Sequence, residues 1–390
     1  MSDKSQLTKQ WHELYRKTLL EDVLPFWMKY GFDKEHGGIG NILDDAGNVL
    51  GHDKYIWSQG RGLWTFSALC KRVEKRPEWL AFADHIYEYL SSHGRDGEGR
   101  WMFRLDGEGN VLDRDISIYA DSFALNGMAE YYSAGGNRNA LKIALETYES
   151  TWSRVNRPGS YGLAPYAVPA GMKPFGIPMV FSFFYYWLGK IAERPDICEV
   201  GHKLAHVLMK DFYVPEKDAM LELVTTEGRF VDSVEGRTCT PGHVLEALWF
   251  LISIFEQTGE SDRIQTCCRL IKRHLELGWD EEFGGLVLGI DIDGKTEGSF
   301  WQNPDRKPWW VQTEALVATA YAYRHTKEDW CLEWHKRIQD YAYSHYPVKT
   351  GEWIQWLDRR GRKMEGGTLP VKDPFHLPRT LIYLLDLFAP

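Results

Sequence analysis

The chain has 390 residues, 44% hydrophobic and 14% aromatic, so it can bury a large core and is not expected to be disordered. Its formal charge is −9, with 46 basic and 55 acidic residues, which disfavours nucleic acid as a partner. Charged residues interrupt every candidate helix before the roughly 20 apolar residues that a bilayer span needs. The amino terminus lacks the residue order of a signal peptide, so we expect a cytoplasmic protein without a membrane partner.

Apolar residues at spacings of three and four, as at Leu19, Val23 and Phe26, predict helices along most of the chain. We place twelve helices near residues 5–30, 55–74, 77–94, 116–134, 138–155, 175–191, 195–210, 241–258, 261–276, 309–325, 327–345 and 375–387. The cysteines mostly lie in these helical patterns without C-x-x-C spacing, and we expect them to be reduced core residues. They are Cys70, Cys198, Cys239, Cys267, Cys268 and Cys331.

A short motif recurs between pairs of helices: alternating apolar residues, a turn with Asp and Gly, then a second apolar segment. It is typical of a β-hairpin. The clearest copies begin at Gly37, Arg100 and Gly351, looser copies lie at Leu221–Val231 and Gly284–Gly294, and a degenerate copy lies at Tyr161–Gly171.

Six such units predict an all-α fold, a closed (α/α)6 barrel with short β-hairpins on one face. An open α-solenoid is the alternative, but it would need polar capping repeats at both ends. The last segment, from Leu381, is apolar and needs burial, which closure against the first unit would provide. Without a Ser-, Gly- or Pro-rich linker, residues 1–390 are predicted to form a single domain.

The hairpins lead into every second helix, so the openings of those helices should meet on one face. His243 and Glu246 are three residues apart, which puts them on one helical face where the carboxylate can orient the imidazole. His376 opens the last helix and could approach a ligand from the other side. Arg61 could hold an oxyanion, aided by the helix amino termini.

Imidazoles titrate near neutrality, so two histidines can serve as base and acid in one reaction. Sugar 2-epimerisation needs such a base and acid, because it removes a proton from C2 of an open-chain aldose and returns one to the other face through an enediolate. The candidate catalytic residues are His243, His376, Arg61, Glu246 and Glu314. The candidate substrate-binding residues are Trp57, Trp309, Asp121 and Arg379. Asp121 has a structural alternative, as a helix cap or core partner, and the spacing of the histidines predicts no metal site.

Four segments carry a family resemblance. Ile56–Arg61, Pro241–Phe250, Trp309–Glu314 and Phe375–Arg379 resemble the N-acylglucosamine 2-epimerase family, and the similarity runs from Leu19 to Pro390. The resemblance implies an (α/α)6 barrel that interconverts N-acetyl-D-glucosamine and N-acetyl-D-mannosamine. It further implies that His243 and His376 are the acid/base pair, that Arg61, Glu246 and Glu314 surround the carbonyl end of the sugar, and that the protein is a homodimer.

Two departures refine this expectation. Cellobiose 2-epimerases and aldose-ketose isomerases of the superfamily carry a further histidine near the start of helix six, and Met172–Pro178 has none, which favours the N-acylglucosamine branch. A 2-epimerase or isomerase of a non-acylated sugar, such as mannose, glucose or cellobiose, is the alternative. Several family members need ATP as an activator and have a strongly basic loop after helix five. Ser153–Ser160 is only mildly basic, so we expect little or no effect of ATP and no cofactor in the chemistry.

Two other classes of function compete with the epimerase. A glycoside hydrolase or unsaturated uronyl hydrolase needs two inward carboxylates, for which Glu246 and Glu314 could serve. That interpretation leaves His243 and His376 without a shared purpose. A non-catalytic sugar- or protein-binding protein would not need an intact acid/base set.

Overall fold

The twelve predicted helices are all present in the computed structural model, which describes residues 3–157, 159–295, 300–365 and 369–389. Most begin and end within two residues of their predicted positions. They are α1 (Asp3–Lys17, continued by π-helical turns to Gly31), α2 (Ile56–Arg72), α3 (Pro77–His93), α4 (Ile118–Gly135), α5 (Arg138–Val155), α6 (Gly176–Ile191), α7 (Pro195–Val207, continued to Phe212), α8 (Pro241–Thr258), α9 (Ser261–Gly278), α10 (Trp309–Thr326), α11 (Asp329–His345) and α12 (His376–Leu387).

The first and seventh helices end in π-helical turns that the apolar spacing did not predict. Thr18–Val23 and Trp27–Gly31 are π-helical and flank the single α-turn Leu24–Phe26, and Leu208–Phe212 ends α7. Pro25 explains the irregularity in α1, because proline removes a donor from the helix interior and crowds the preceding turn. A π-helical turn is one way to absorb such a defect.

The even-numbered helices form an inner ring in which each contacts the next, and α12 contacts α2. Each odd-numbered helix from α3 to α11 packs outside the inner helix that precedes it, while α1 packs on α12. Trp11 and Tyr15 of α1 lie against the ring of Phe388, which buries the apolar carboxyl-terminal segment. The barrel is therefore closed, as predicted, and the open solenoid is wrong.

Short strands join the mouths of the inner helices around the barrel. They are β1 (Ile42–Leu43), β2 (Val49–Gly51), β3 (Lys54–Tyr55), β4 (Arg104–Leu105), β5 (Val111–Asp113), β6 (Met172–Pro174), β7 (Tyr213–Val214), β8 (Ala219–Met220), β9 (Leu223–Thr225), β10 (Thr238–Cys239), β11 (Ile290–Asp291), β12 (Lys307–Pro308) and β13 (Trp356–Leu357). The strand before an inner helix pairs antiparallel with a strand from the next connection, in β3–β4, β6–β9, β10–β11 and β12–β13.

The same pairing is reduced to single contacts at the other two positions. A bridge joins Ser117 to Leu163, and the amide of Lys372 donates to the carbonyl of Asn41 at 2.8 Å. This last bond links the end of the chain to its beginning. The predicted hairpins at Gly37 and Arg100 pair within themselves, as β1–β2 and β4–β5, and the copy at Gly351 closes a turn in which Leu357 pairs with Lys363. The copies at Leu221–Val231, Gly284–Gly294 and Tyr161–Gly171 were wrong as hairpins, because β9, β11 and Leu163 pair with a neighbouring unit instead.

Two glycines let α2 and α4 approach each other closely. A Cβ atom on Gly60 would lie 2.5 Å from the carbonyl carbon of Phe123, and one on Gly127 would lie 2.4 Å from the carbonyl oxygen of Gly60. The approach brings the Phe123 ring to 4.1 Å from the guanidinium carbon of Arg61. Backbone packing thus places a charged residue at the centre of the barrel mouth.

All six cysteines are free and five of them are buried, as expected for reduced core residues. Among the described residues, the helices are too short or too polar for any to cross a bilayer.

Candidate active site

A deep cavity opens where the inner helices begin. Six of the nine candidate residues line it: His243, His376, Arg61, Glu246, Trp57 and Trp309. Glu314 and Arg379 are buried and contact lining residues from behind, whereas Asp121 lies apart from the cavity wall. The structure therefore brings together the residues that the helix openings predicted, with Asp121 as the exception.

His376 is the first residue of α12, and its two ring nitrogens have different surroundings. Nδ1 lies 2.8 Å from Oε1 of Glu314, so Nδ1–H donates to this carboxylate and the lone pair remains on Nε2. Nη2 of Arg61 lies 3.5 Å from Nε2, which suits an acceptor at that position. Burial, together with the charge of Arg61, lowers the pKa of His376 well below its usual range. The imidazole is thus neutral at neutral pH.

Glu314 belongs to a buried network that fixes the position of His376. Its Oε1 accepts a bond from Nη2 of Arg379 at 2.7 Å, and its Oε2 accepts one from Nε1 of Trp249 at 2.9 Å. The same Nη2 atom also donates to Glu246. Despite burial, the two carboxylates raise the pKa of Arg379 above its ordinary value. The guanidinium therefore pairs with two buried carboxylates, one of which also holds the imidazole of His376.

His243, near the start of α8, has a carboxylate partner from a different element. Its Nδ1 lies 3.0 Å from Oε2 of Glu222, which immediately precedes β9. Burial opposes a charge on His243, but Glu222 outweighs it and the pKa of the imidazole is raised. The pKa values of His243 and His376 are thus shifted in opposite directions. The expectation that Glu246 orients His243 was wrong, because Arg379 engages Glu246 instead.

The indole of Trp310 contacts both imidazoles. Its ring centroid lies 5.0 Å from that of His243, nearly parallel at 28°, and 5.7 Å from that of His376. Trp309 meets His376 edge-on at 6.1 Å. These contacts limit rotation of the two imidazoles and leave them facing one cavity.

Arg61 is held as a fixed cation beside His376. Its Nη1 lies 3.2 Å from Oδ2 of Asp373, and its guanidinium lies over the rings of Phe123 and Phe375. Its Nε is buried and has no hydrogen-bond partner among the described residues. The guanidinium therefore retains an unused donor in a site that is largely shielded from water.

Asp121 forms an ion pair with Arg154 of α5 rather than facing the cavity. Burial outweighs the effect of Arg154 and raises the pKa of Asp121 to about 7. Arg154 also contacts Asp115 at 3.1 Å, so this basic residue of the Ser153–Ser160 loop is already paired. Pro158 of the loop lies outside the described residues. A substrate-binding role for Asp121 stays a prediction.

Sequence reasoning missed three residues of the site: Glu222, Asp373 and Trp310. Glu222 could have been noticed as a lone carboxylate in the apolar run Ala219–Val224, because a buried charge requires a partner. Asp373 stands three residues before His376 and next to a proline, where no periodic pattern applies. Trp310 follows Trp309 in the sequence, but its contact with both histidines depends on the closed barrel.

An (α/α)6 barrel with two histidines of opposite pKa shift in one cavity suits an enzyme that transfers protons, as an isomerase does. The model of the N-acylglucosamine 2-epimerase family matches residues 28–164 and 193–378, and the chain belongs to this family. This chain is 29% identical over 384 residues to the N-acylglucosamine 2-epimerase of Rattus norvegicus, and the alignment covers 93% of this chain and 88% of the relative.

Two further similarities concern cellobiose 2-epimerases. The cellobiose 2-epimerase of Dictyoglomus turgidum is 24% identical over 378 residues, which cover 86% of this chain and 88% of the relative. The solved structure of cellobiose 2-epimerase from Spirochaeta thermophila has a TM-score of 0.84 at 21% identity, covering 100% of this chain and 99% of that chain. The structural likeness establishes the barrel fold.

Proposed function

We propose that this enzyme interconverts N-acetyl-D-glucosamine and N-acetyl-D-mannosamine by removing the proton at C2 of the open-chain sugar and returning one to the opposite face. The observation that carries the proposal is the opposite shift of two pKa values in one cavity, lowered for His376 and raised for His243. Such a divergence assigns the roles of base and acid. Membership of the family and the likeness to the rat enzyme support the sugar class.

In the first step, the lone pair on Nε2 of His376 accepts the C2 proton. The electron pair of the broken C2–H bond forms a C1–C2 double bond while the carbonyl electrons move to O1, which gives an enolate, and Arg61 supplies a positive charge beside the base. Glu314 accepts the Nδ1–H bond throughout and stabilises the imidazolium that forms. The same role for a buried carboxylate is known from other histidine bases.

In the second step, Nε2–H of His243 delivers a proton to the other face of C2. His243 ends neutral and His376 ends protonated. The total charge of the two histidines is therefore the same before and after the reaction. The reverse reaction starts from this second arrangement. Both directions therefore use an enzyme form in which one of the two Nε2 atoms carries a proton and the other does not. Proton exchange with solvent interconverts the two arrangements.

The wall near the start of α6 supports an N-acylated substrate. The lining residues Pro174, Gly176, Met179 and Val180 present only apolar or small side chains to the cavity. An acetyl methyl group fits such a wall, whereas a hydroxyl-rich sugar unit gains no hydrogen bonds from these side chains. Arg379 argues against the hydrolase, because it binds both Glu246 and Glu314 and leaves neither as a free general acid.

A panel of sugars tests the substrate class. N-acetylmannosamine, mannose, glucose, fructose and cellobiose are incubated with the enzyme and the products are separated by chromatography. We expect conversion of N-acetylmannosamine to N-acetylglucosamine and little reaction of the other sugars. The 24% identical cellobiose 2-epimerase favours the alternative of a non-acylated substrate. Faster turnover of mannose, glucose or cellobiose would establish that alternative and contradict the proposal.

We also propose that the enzyme is a cytoplasmic homodimer and that residues 1–390 fold as one domain. Light scattering after size-exclusion chromatography measures the mass of the assembly against a chain mass of 45.2 kDa. A single cooperative unfolding transition is expected for one domain.

A further inference from the structure

Two histidines and a glutamate converge at the end of the barrel away from the cavity. His202 and His206 are four residues apart on α7, which places them on one face of the helix. Glu260 lies 58 residues beyond His202, in the connection between α8 and α9. Because α8 begins at the cavity and ends at Thr258, Glu260 lies at the far end of the barrel.

The nitrogen and oxygen atoms of these three side chains lie close to one another. Nε2 of His202 lies 2.5 Å from Oε1 of Glu260, Nε2 of His206 lies 3.3 Å from Oε2 of Glu260, and the two Nε2 atoms are 3.0 Å apart. A tetrahedral zinc ion with bonds of about 2.0–2.1 Å separates its ligand atoms by roughly 3.3 Å. To hold an ion, Nε2 of His202 must move away from Oε1 of Glu260, from 2.5 Å to about 3.3 Å, while the other two distances, 3.3 Å and 3.0 Å, already lie near the value for zinc.

We propose that His202, His206 and Glu260 bind a divalent transition-metal ion of the zinc type. Imidazole nitrogens and a carboxylate are a suitable donor set for such an ion. Three protein ligands leave the fourth position of a tetrahedron to water. The side chains are 25–32% exposed, so an ion can enter from solvent.

Other contacts of Glu260 are compatible with this site. Thr258 donates its hydroxyl to Oε1 at 2.7 Å, and Nε of Arg263 lies 3.0 Å from Oε2. Thr258 orients the carboxylate in the manner of an outer-sphere partner of a metal ligand. Arg263 is 43% exposed and can turn away into water when an ion neutralises the carboxylate.

The other two groups of metal-ligating side chains among the described residues are less suitable. Glu246, Glu314 and His376 form one group, but the guanidinium of Arg379 already binds its two carboxylates. Asp33, His36 and His52 form the other group, and there the ammonium of Lys54 binds the carboxylate of Asp33. A fixed buried cation in each group repels a metal ion.

The ion would join the outer helix α7 to the connection that precedes α9. Its expected effect is on stability and not on the reaction, because α8 is 18 residues long and thus spans about 27 Å between cavity and site. An ion that binds the folded chain preferentially raises its apparent stability.

The test uses the full chain, freed of metal with a chelator and titrated with zinc chloride by calorimetry. We expect one saturable site per chain and a higher midpoint of thermal unfolding with zinc. His202→Ala, His206→Ala and Glu260→Gln should each weaken binding by at least about tenfold, since losing even an outer-sphere partner costs 10- to 100-fold. His325→Ala is the matched control, because His325 contacts the single carboxylate of Glu256 near the ends of α10 and α8 that lie away from the cavity.

A spectroscopic measurement on the unaltered chain does not depend on the folding of variants. Bound Co²⁺ should give visible absorption typical of a tetrahedral site, and zinc should displace it. The proposal is overturned if neither ion binds saturably, or if the three variants bind zinc as tightly as the His325→Ala control. Loss of epimerase turnover on chelation would also overturn it, since that would place the ion in the catalytic cavity.

Discussion

Nδ1 of His376 lies 2.8 Å from Oε1 of Glu314, and this one contact sets the chemistry of the histidine. It fixes the proton on Nδ1 and leaves the lone pair of Nε2 for the substrate. His243 has the equivalent contact with Glu222 at 3.0 Å. The pKa values of the two histidines nevertheless shift in opposite directions, because burial and the charge of Arg61 lower that of His376, whereas Glu222 raises that of His243 against the effect of burial.

The first prediction concerns the two histidines themselves. His243→Asn and His376→Asn should each reduce kcat by about 10²- to 10⁴-fold, the usual effect of losing a general acid or base. Helical circular dichroism should be unchanged, since Asn retains a polar group at a cavity wall. His325→Asn serves as the control and should keep full activity. Substantial epimerisation by both cavity variants would remove the two-histidine scheme.

The pH profile of kcat/KM should have a broad plateau. Activity rises as pH increases through the lowered pKa of His376, which frees the base, and falls through the raised pKa of His243, which removes the acid. Glu222→Gln deletes the charge that raises the pKa of His243, so the alkaline limb should move to lower pH while the acidic limb stays.

Glu256→Gln is the control for this experiment, because Glu256 forms a similar pair with His325 outside the cavity. Its profile should match that of the unaltered enzyme. A Glu222→Gln profile with the acidic limb shifted and the alkaline limb fixed would reverse the assignment of acid and base.

Packing of α2 on α4 should be sensitive to a single methyl group. Gly60→Ala places a Cβ atom 2.5 Å from the backbone of Phe123, and overpacking of this kind typically costs about 1–3 kcal/mol. Thermal or denaturant unfolding measures the change in the free energy of unfolding. Gly135→Ala is the control, since the nearest atom to its added Cβ would be 3.8 Å away. Equal stability of the two variants would show that α2 and α4 are not in close contact.

The sequence was sufficient to predict the helices, because they follow from local periodicity. It was also sufficient to place His243, His376 and Arg61 at one face of the barrel, because that follows from the repeat. It was insufficient for the carboxylate partners. Glu222 is placed beside His243 by tertiary contacts, because its amide donates to the carbonyl of Thr238 before α8 and its carbonyl accepts from the amide of Phe175 before α6. Spacing along α8 suggested Glu246 for that role, yet a cation from α12, Arg379, binds it instead. Which of two nearby carboxylates holds a histidine is thus decided by charges from other helices.

ATP should have little or no effect on turnover. Binding a triphosphate requires several convergent cations or backbone N–H groups, and Arg154 is already paired with Asp115 and Asp121. Initial rates with and without ATP, at saturating sugar, test this expectation. A strict requirement for ATP in the purified enzyme would mean that another part of the chain binds the nucleotide.

The most direct test of the mechanism is epimerisation in D₂O, with the C2 position of the product followed by NMR at early conversion. Because His243 delivers a solvent-exchanged proton to the face opposite His376, the product should carry deuterium at C2 while unreacted substrate retains hydrogen. Return by a single histidine would leave part of the original hydrogen in the product and would make the two His→Asn variants unequal. Product with no deuterium at C2, together with activity in both histidine variants, would contradict proton transfer by this pair.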